Sequence, residues 1–192
     1  MTDLLSAAAI LIFTLAPLSA HAQAIQPDRP GIGADPDVVA PWTLESESGT
    51  DGFEIRVGIA PGVEIDHDTT SWGAKIALPS TAVKTAIKIS YNSALGAVVE
   101  IPANLKVSKW FNLGLDAALS RNQQVYAAEF NIAPTSRFTI SPAVYHDGKL
   151  RAAIFAAWVV RDSVQLDIGY DKHRAIVGVS TALDIKQLLQ RR

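Results

Sequence analysis

Charged side chains recur in this sequence at alternate positions inside apolar runs, and that spacing has chemical meaning. Glu54, Arg56, Glu64, Asp66, Lys88, Glu100, Asp116, Glu129, Arg137, Arg151 and Asp167 each fall within a predicted strand, among Gly, Ala and Ser. In an extended strand a residue shares its face with its i±2 neighbours, so the charges gather on one side and the greasy residues on the other. Mixed carboxylates and cations on one wet face can cross-link the strands as ion pairs, or they can line a polar constriction that selects small solutes.

Other chemistries find little support. His67, His146 and His173 each stand close to aspartate, at Asp66-His67-Asp68, His146-Asp147 and Asp171-Lys172-His173. Imidazole and carboxylate are both metal ligands, yet loops collect such residues anyway and the spacing defines no site. Ser93 beside Asn92 has no nucleophile-elbow signature, so a hydrolase reading lacks an oriented base. Gly31-Ile32-Gly33 follows no strand and is too short for a dinucleotide fingerprint. Cysteine is absent, which removes disulfides, thiolate metal sites and cysteine catalysis together. With a formal net charge of −2 and no run of Lys and Arg, the chain gives no footprint for nucleic acid. We therefore expect no enzyme, metal or cofactor.

The elements that must position the charges are short strands. Phe53, Ile55, Val57 and Ile59 alternate with Glu54, Arg56 and Gly58; Ala60-Pro61-Gly62 then turns the chain into Val63 and Ile65, alternating with Glu64 and Asp66. The same pattern governs Phe111 to Ser120 and Val164 to Asp171. Reading from turn to turn predicts about twelve strands, at 41–48, 52–59, 63–68, 72–79, 83–91, 96–104, 110–120, 124–132, 137–146, 149–160, 164–171 and 174–184. An even count suits a closed up-and-down barrel with both termini at one end.

Upstream of these strands the character changes. Leu4 to Leu15 is an apolar run closed by Ala20-His21-Ala22, the form of a secretory signal peptide, and it falls short of the roughly 20 residues a membrane helix needs. Prolines and glycines from Gln26 to Asp37 deny helix and ladder alike. The expected organisation is a signal peptide at 1–22, an extended lead-in at 23–40, a barrel at 41–185 and a tail at 186–192.

Alternation alone does not distinguish a membrane barrel from a soluble lipocalin-like one, whose apolar face points inward. Small residues interleaved with charges suit a crowded wet lumen, and a soluble outer face is more often dense in long Lys, Glu and Thr. Trp42, Trp72, Tyr91, Trp110, Phe111, Tyr126, Tyr145, Trp158 and Tyr170 fall mainly near predicted strand ends, where interfacial girdles lie. The sequence thus predicts an all-β, closed antiparallel transmembrane barrel in the outer membrane, in contact with its lipid, with the named charges facing the lumen.

Asp28-Arg29-Pro30-Gly31-Ile32-Gly33, then Asp37-Val38-Val39 and Trp42-Thr43-Leu44-Glu45, resemble the opening of a group of bacterial exported proteins known as MetA-pathway of phenol degradation proteins. That resemblance implies an outer-membrane barrel delivered to the barrel-insertion machinery and passing small molecules, aromatic or hydrophobic ones among them. The chain departs from the group in its brief outer loops and in ending Lys186-Gln187-Leu188-Leu189-Gln190-Arg191-Arg192 where many such barrels finish on an aromatic residue. Three functions follow as alternatives: a passive channel or transporter for small molecules, a structural barrel without transport, and a soluble periplasmic binder.

Overall fold

A computed structural model describes residues 33–50, 52–79 and 82–190. The expected signal peptide and the lead-in as far as residue 32 lie outside the described residues. The strands are β1 (Thr43–Gly49), β2 (Gly52–Ala60), β3 (Val63–Asp68), β4 (Ser71–Leu78), β5 (Val83–Asn92), β6 (Gly96–Glu100) and β7 (Ala103–Lys106). They continue as β8 (Phe111–Ser120), β9 (Gln124–Thr135), β10 (Phe138–His146), β11 (Leu150–Arg161), β12 (Val164–Asp171) and β13 (Arg174–Asp184), followed by a short helix, α1 (Ile185–Gln190).

Each strand pairs antiparallel with its neighbours, and β1 pairs with β13 from Thr43↔Asp184 to Gly49↔Gly178, so no edge is left open. Closure satisfies backbone groups that an open edge would leave unpaired in hydrocarbon at several kcal/mol each.

The expected strand 96–104 arrives as two pieces. β6 and β7 both bridge β5 to β8 and together occupy one position, which makes a barrel of 12 strand positions. Pro102 causes the break. It has no N–H to give the ladder, although its carbonyl still accepts from Ala86 N at 3.0 Å, while Ile101 N beside it donates to Ala117 O at 2.9 Å.

Orientation follows the alternation. Ile65, Ile89, Leu115, Ile154, Ile168 and Val177 lie exposed around the outer waist, an apolar band of the kind that marks an interaction or membrane surface. Trp42, Trp110, Phe138 and Trp158 edge this band at the end where β1 begins and β13 ends, and Trp72, Tyr91, Tyr126 and Tyr170 edge it at the other. Arg56, Lys75, Glu45, Glu47 and Glu64 are the largest fully buried side chains. A lipocalin-like arrangement would reverse these faces; the barrel is of the transmembrane kind.

Two expectations need correction. Tyr145 belongs to no girdle: it points into the barrel and packs with Ala127, Ala143, Ala153, Phe155 and Ile176, because it sits on the inward register of β10 with Ser141 and Ala143. Arg137 lines no strand. β9 runs on through Ala133, whose N–H donates to Trp110 O at 2.8 Å, so the turn moves to Ser136 and Arg137, and Arg137 is exposed at the barrel's end.

Ile168, 60% exposed at the middle of β12, tests the outward face. Ile168→Arg is expected to lower unfolding free energy in lipid vesicles by about 2–4 kcal/mol, the cost of a cation at the bilayer midplane. A change within about 0.5 kcal/mol, as on a water-facing surface, would contradict the lipid-facing assignment.

Candidate functional site: the charged lumen and its lead-in

The lumen has two unlike halves. On β1 to β5 the inward positions carry most of the buried charges, and directly paired residues of an antiparallel ladder sit side by side on one face. Glu45 therefore stands beside Arg56 and Arg56 beside Asp66, while Glu64 stands beside Lys75, Lys75 beside Lys88 and Lys88 beside Glu100.

Arg56 is the hub. Its Nη2 donates to Glu45 Oε2 and Glu47 Oε1, both at 2.8 Å, and its Nη1 lies 3.7 Å from Glu64 Oε1. Lys75 Nζ pairs with Glu64 Oε1 at 3.0 Å, and Lys88 Nζ bridges Glu54 Oε1 at 3.3 Å and Asp66 Oδ1 at 3.2 Å. The guanidinium suits the hub because its planar fork serves several carboxylates at once.

On β6 to β13 the mid-depth inward charges are all acidic. Glu100, Glu129 and Asp116 hold β6, β9 and β8, and Asp167 on β12 accepts from Gln165 Nε2 at 2.7 Å and Ser180 Oγ at 3.3 Å. Arg151 lies at the rim, 37% exposed, its Nε donating to Asp147 Oδ1 at 2.8 Å; Lys172 Nζ lies 3.2 Å from Asp147 Oδ2. Tyr145 Oη donates to Asp171 Oδ1 at 2.6 Å. The apolar cluster around Tyr145 and Phe155 fills this side.

The lead-in does not hang free. Trp42 N donates to Gly58 O at 2.8 Å, and the chain then runs back inside the barrel. Val39, fully buried, donates its N–H to Glu64 Oε2 at 2.6 Å; Asp37 pairs with Lys84 at 2.7 Å; the Asp35 carbonyl accepts from Lys75 Nζ at 2.9 Å; Ala34 N donates to Glu100 Oε1 at 2.8 Å. Gly58 permits the crossing, since a Cβ there would lie 2.0 Å from Ala40 O and 2.4 Å from Val39 O.

Of the charges expected from sequence to line the lumen, the structure brings Glu54, Arg56, Glu64, Asp66 and Lys88 into one network. It places Glu100, Asp116, Glu129 and Asp167 on the opposite walls, Arg151 at the rim and Arg137 in a turn. Sequence reading missed Glu45, Glu47 and Lys75. Lys75 was findable, because Trp72, Ala74, Ile76 and Leu78 mark the outward face around it. Glu45 and Glu47 were masked by Ser46 and Ser48, which put polar residues on both faces of β1.

The three histidines lie on separate hairpins. His67 Nδ1 lies 2.8 Å from Ser71 O, and among the described residues no group of histidine and carboxylate side chains could hold a metal ion. Asn92 caps its turn by accepting from Ala94 N and Leu95 N.

No protein-family profile and no curated protein matches the chain, so membership of the phenol-degradation group remains an expectation. Among solved structures, a KdgM porin aligns with a TM-score of 0.51 at 11% identity, over 72% of this chain and 98% of its own. A Rhodopseudomonas blastica porin variant aligns with a TM-score of 0.44 at 14% identity, over 69% of this chain; the chain spans 55% of that porin's length. The KdgM likeness supports the barrel fold.

Two outcomes test the electrostatics. Arg56→Met leaves Glu45 and Glu47 buried without their cation and should cost about 3–5 kcal/mol in denaturant unfolding; a cost below about 1 kcal/mol would mean that water screens the network. In the β10–β11 turn, the hydrogen bond from Arg151 draws the Asp147 carboxyl down to about 2. A depressed carboxyl contributes stability above its ordinary value of 3.8 and loses it as pH falls through about 2. Carboxyl NMR should therefore find Asp147 titrating near 2, and higher in Arg151→Gln, where Lys172 still holds it below its ordinary value; a native midpoint close to 4 would refute the pairing.

Proposed function

We propose that this protein is a passive outer-membrane channel for small, water-soluble solutes that favours cations over anions. One observation carries the reading: among the described residues, the inward carboxylates at mid-depth outnumber the inward cations. Among the described residues, Glu45, Glu47, Glu54, Glu64 and Asp66 face Arg56, Lys75 and Lys88 on one half, and Glu100, Asp116, Glu129 and Asp167 are the inward mid-depth charges on the other. A low-dielectric wall lined by one excess sign of charge focuses field and concentrates counter-ions.

The outward apolar band and the closed ladder support insertion in a bilayer, and a barrel of this kind belongs in an outer membrane. The aromatic or hydrophobic cargo suggested by the family resemblance draws no support from the ionic lining of the β1–β5 half. With brief connections at both ends, discrimination falls to the lumen itself.

Refolded protein in planar bilayers should conduct, with a reversal potential in a KCl gradient on the cation-selective side. Ionic strength should weaken that preference, because screening shortens the reach of lumen charge. Anion selectivity would overturn the charge argument, and silent bilayers would favour a structural barrel without transport.

A further inference from the structure

We propose that residues 34–40 are the selectivity element of this channel: a strap of main chain seated across the lumen that sets the width and ionic character of the passage. The inference rests on the channel reading above and names the part that does the selecting.

Three observations carry it. First, the strap's contacts cross the barrel. They begin at Gly58 on β2, pass Glu64 on β3, Lys75 on β4 and Lys84 on β5, and reach Glu100 on β6; at Gly33 a Cβ would lie 2.2 Å from Asp116 Oδ2 on β8. Second, the seat is made mostly for backbone. Glu64 and Glu100 accept main-chain N–H groups and Lys75 donates to a main-chain carbonyl, the charge-assisted contacts that hold an extended segment without ladder partners.

Third, the wall under the strap is sealed and the wall across from it is not. Glu45, Glu47, Arg56, Glu64 and Lys75 have almost no exposure, whereas Asn112, Gly114, Glu129 and Asn131, inward on β8 and β9, stay half-exposed. Among the described residues, the partly exposed inward positions therefore face each other across the strap and β8–β9, with Asp35, Asp37 and Val38 on one bank and Glu129 and Asn131 on the other. The buried ionic network of Glu64 and Lys75 under the strap acts as its foundation, and the strap's own residues form one bank of the passage.

The test compares the intact mature chain with one beginning at Pro41, each refolded and measured by single-channel conductance and by liposome swelling with graded sugars. Removing the strap should raise unitary conductance severalfold and admit larger sugars. Equal conductance and an equal size limit would overturn the proposal. Because the shortened chain can fail to refold, Val38→Lys in the intact chain supplies a second measurement. Its added cation should shift the KCl-gradient reversal potential toward anion selectivity, and an unshifted potential would also overturn the proposal. An intact chain that conducts while neither variant differs from it strikes this inference alone; silence from every chain strikes the channel reading and this inference with it.

Discussion

The ionic hub at Arg56 is the interaction on which the interior depends. A guanidinium without exposure is tolerable only with its charge answered, and here the answer comes from two carboxylates on β1 and a third on β3. The hub thus ties three strands through their side chains as well as through their ladders. Glu64 belongs simultaneously to the hub, to Lys75 and to the lead-in through Val39 N. Loss of charge balance at one point would be felt in wall packing and in lumen contents together, since buried ion networks couple their members strongly.

The two halves of the lumen meet the same problem, filling a barrel of intermediate width, with different chemistry. The β1–β5 half uses ion pairs and a borrowed stretch of backbone. The β9–β13 half uses small alanines with Tyr145 and Phe155; Phe155 lies across Gly169 on the paired strand, where a Cβ would come within 2.3 Å of its ring. An aromatic covering a cross-strand glycine restores the packing that the missing side chain would have supplied.

Most of the architecture could be read from residue order, because period-2 alternation and turn residues are local signals. In Phe53 to Ile59 and Val164 to Asp171 the alternation marks both the strand and its two faces. What escaped was whatever depended on non-local geometry. Tyr145 resembles a girdle residue by position and becomes core by register. Arg137 became a turn residue because β9 persists through a proline-containing end that local reading assigns to a turn. The strap was least legible of all, since it is held by N–H and C=O groups that every residue carries, and only Gly58, small where a second chain passes, left a trace.

The pairing of β1 with β13 bears on how the molecule forms. Thr43 finds Asp184 across nearly the whole described chain, whereas the other strands meet partners close in sequence. Neighbouring hairpins can zip early, but the seam must wait until both ends of the barrel sequence are made, and contacts of such long sequence separation slow folding. Until then β1 and β13 are exposed edges able to pair with the wrong chain. The seam is accordingly the final commitment of assembly, and the stage at which an unclosed sheet would be most prone to aggregate.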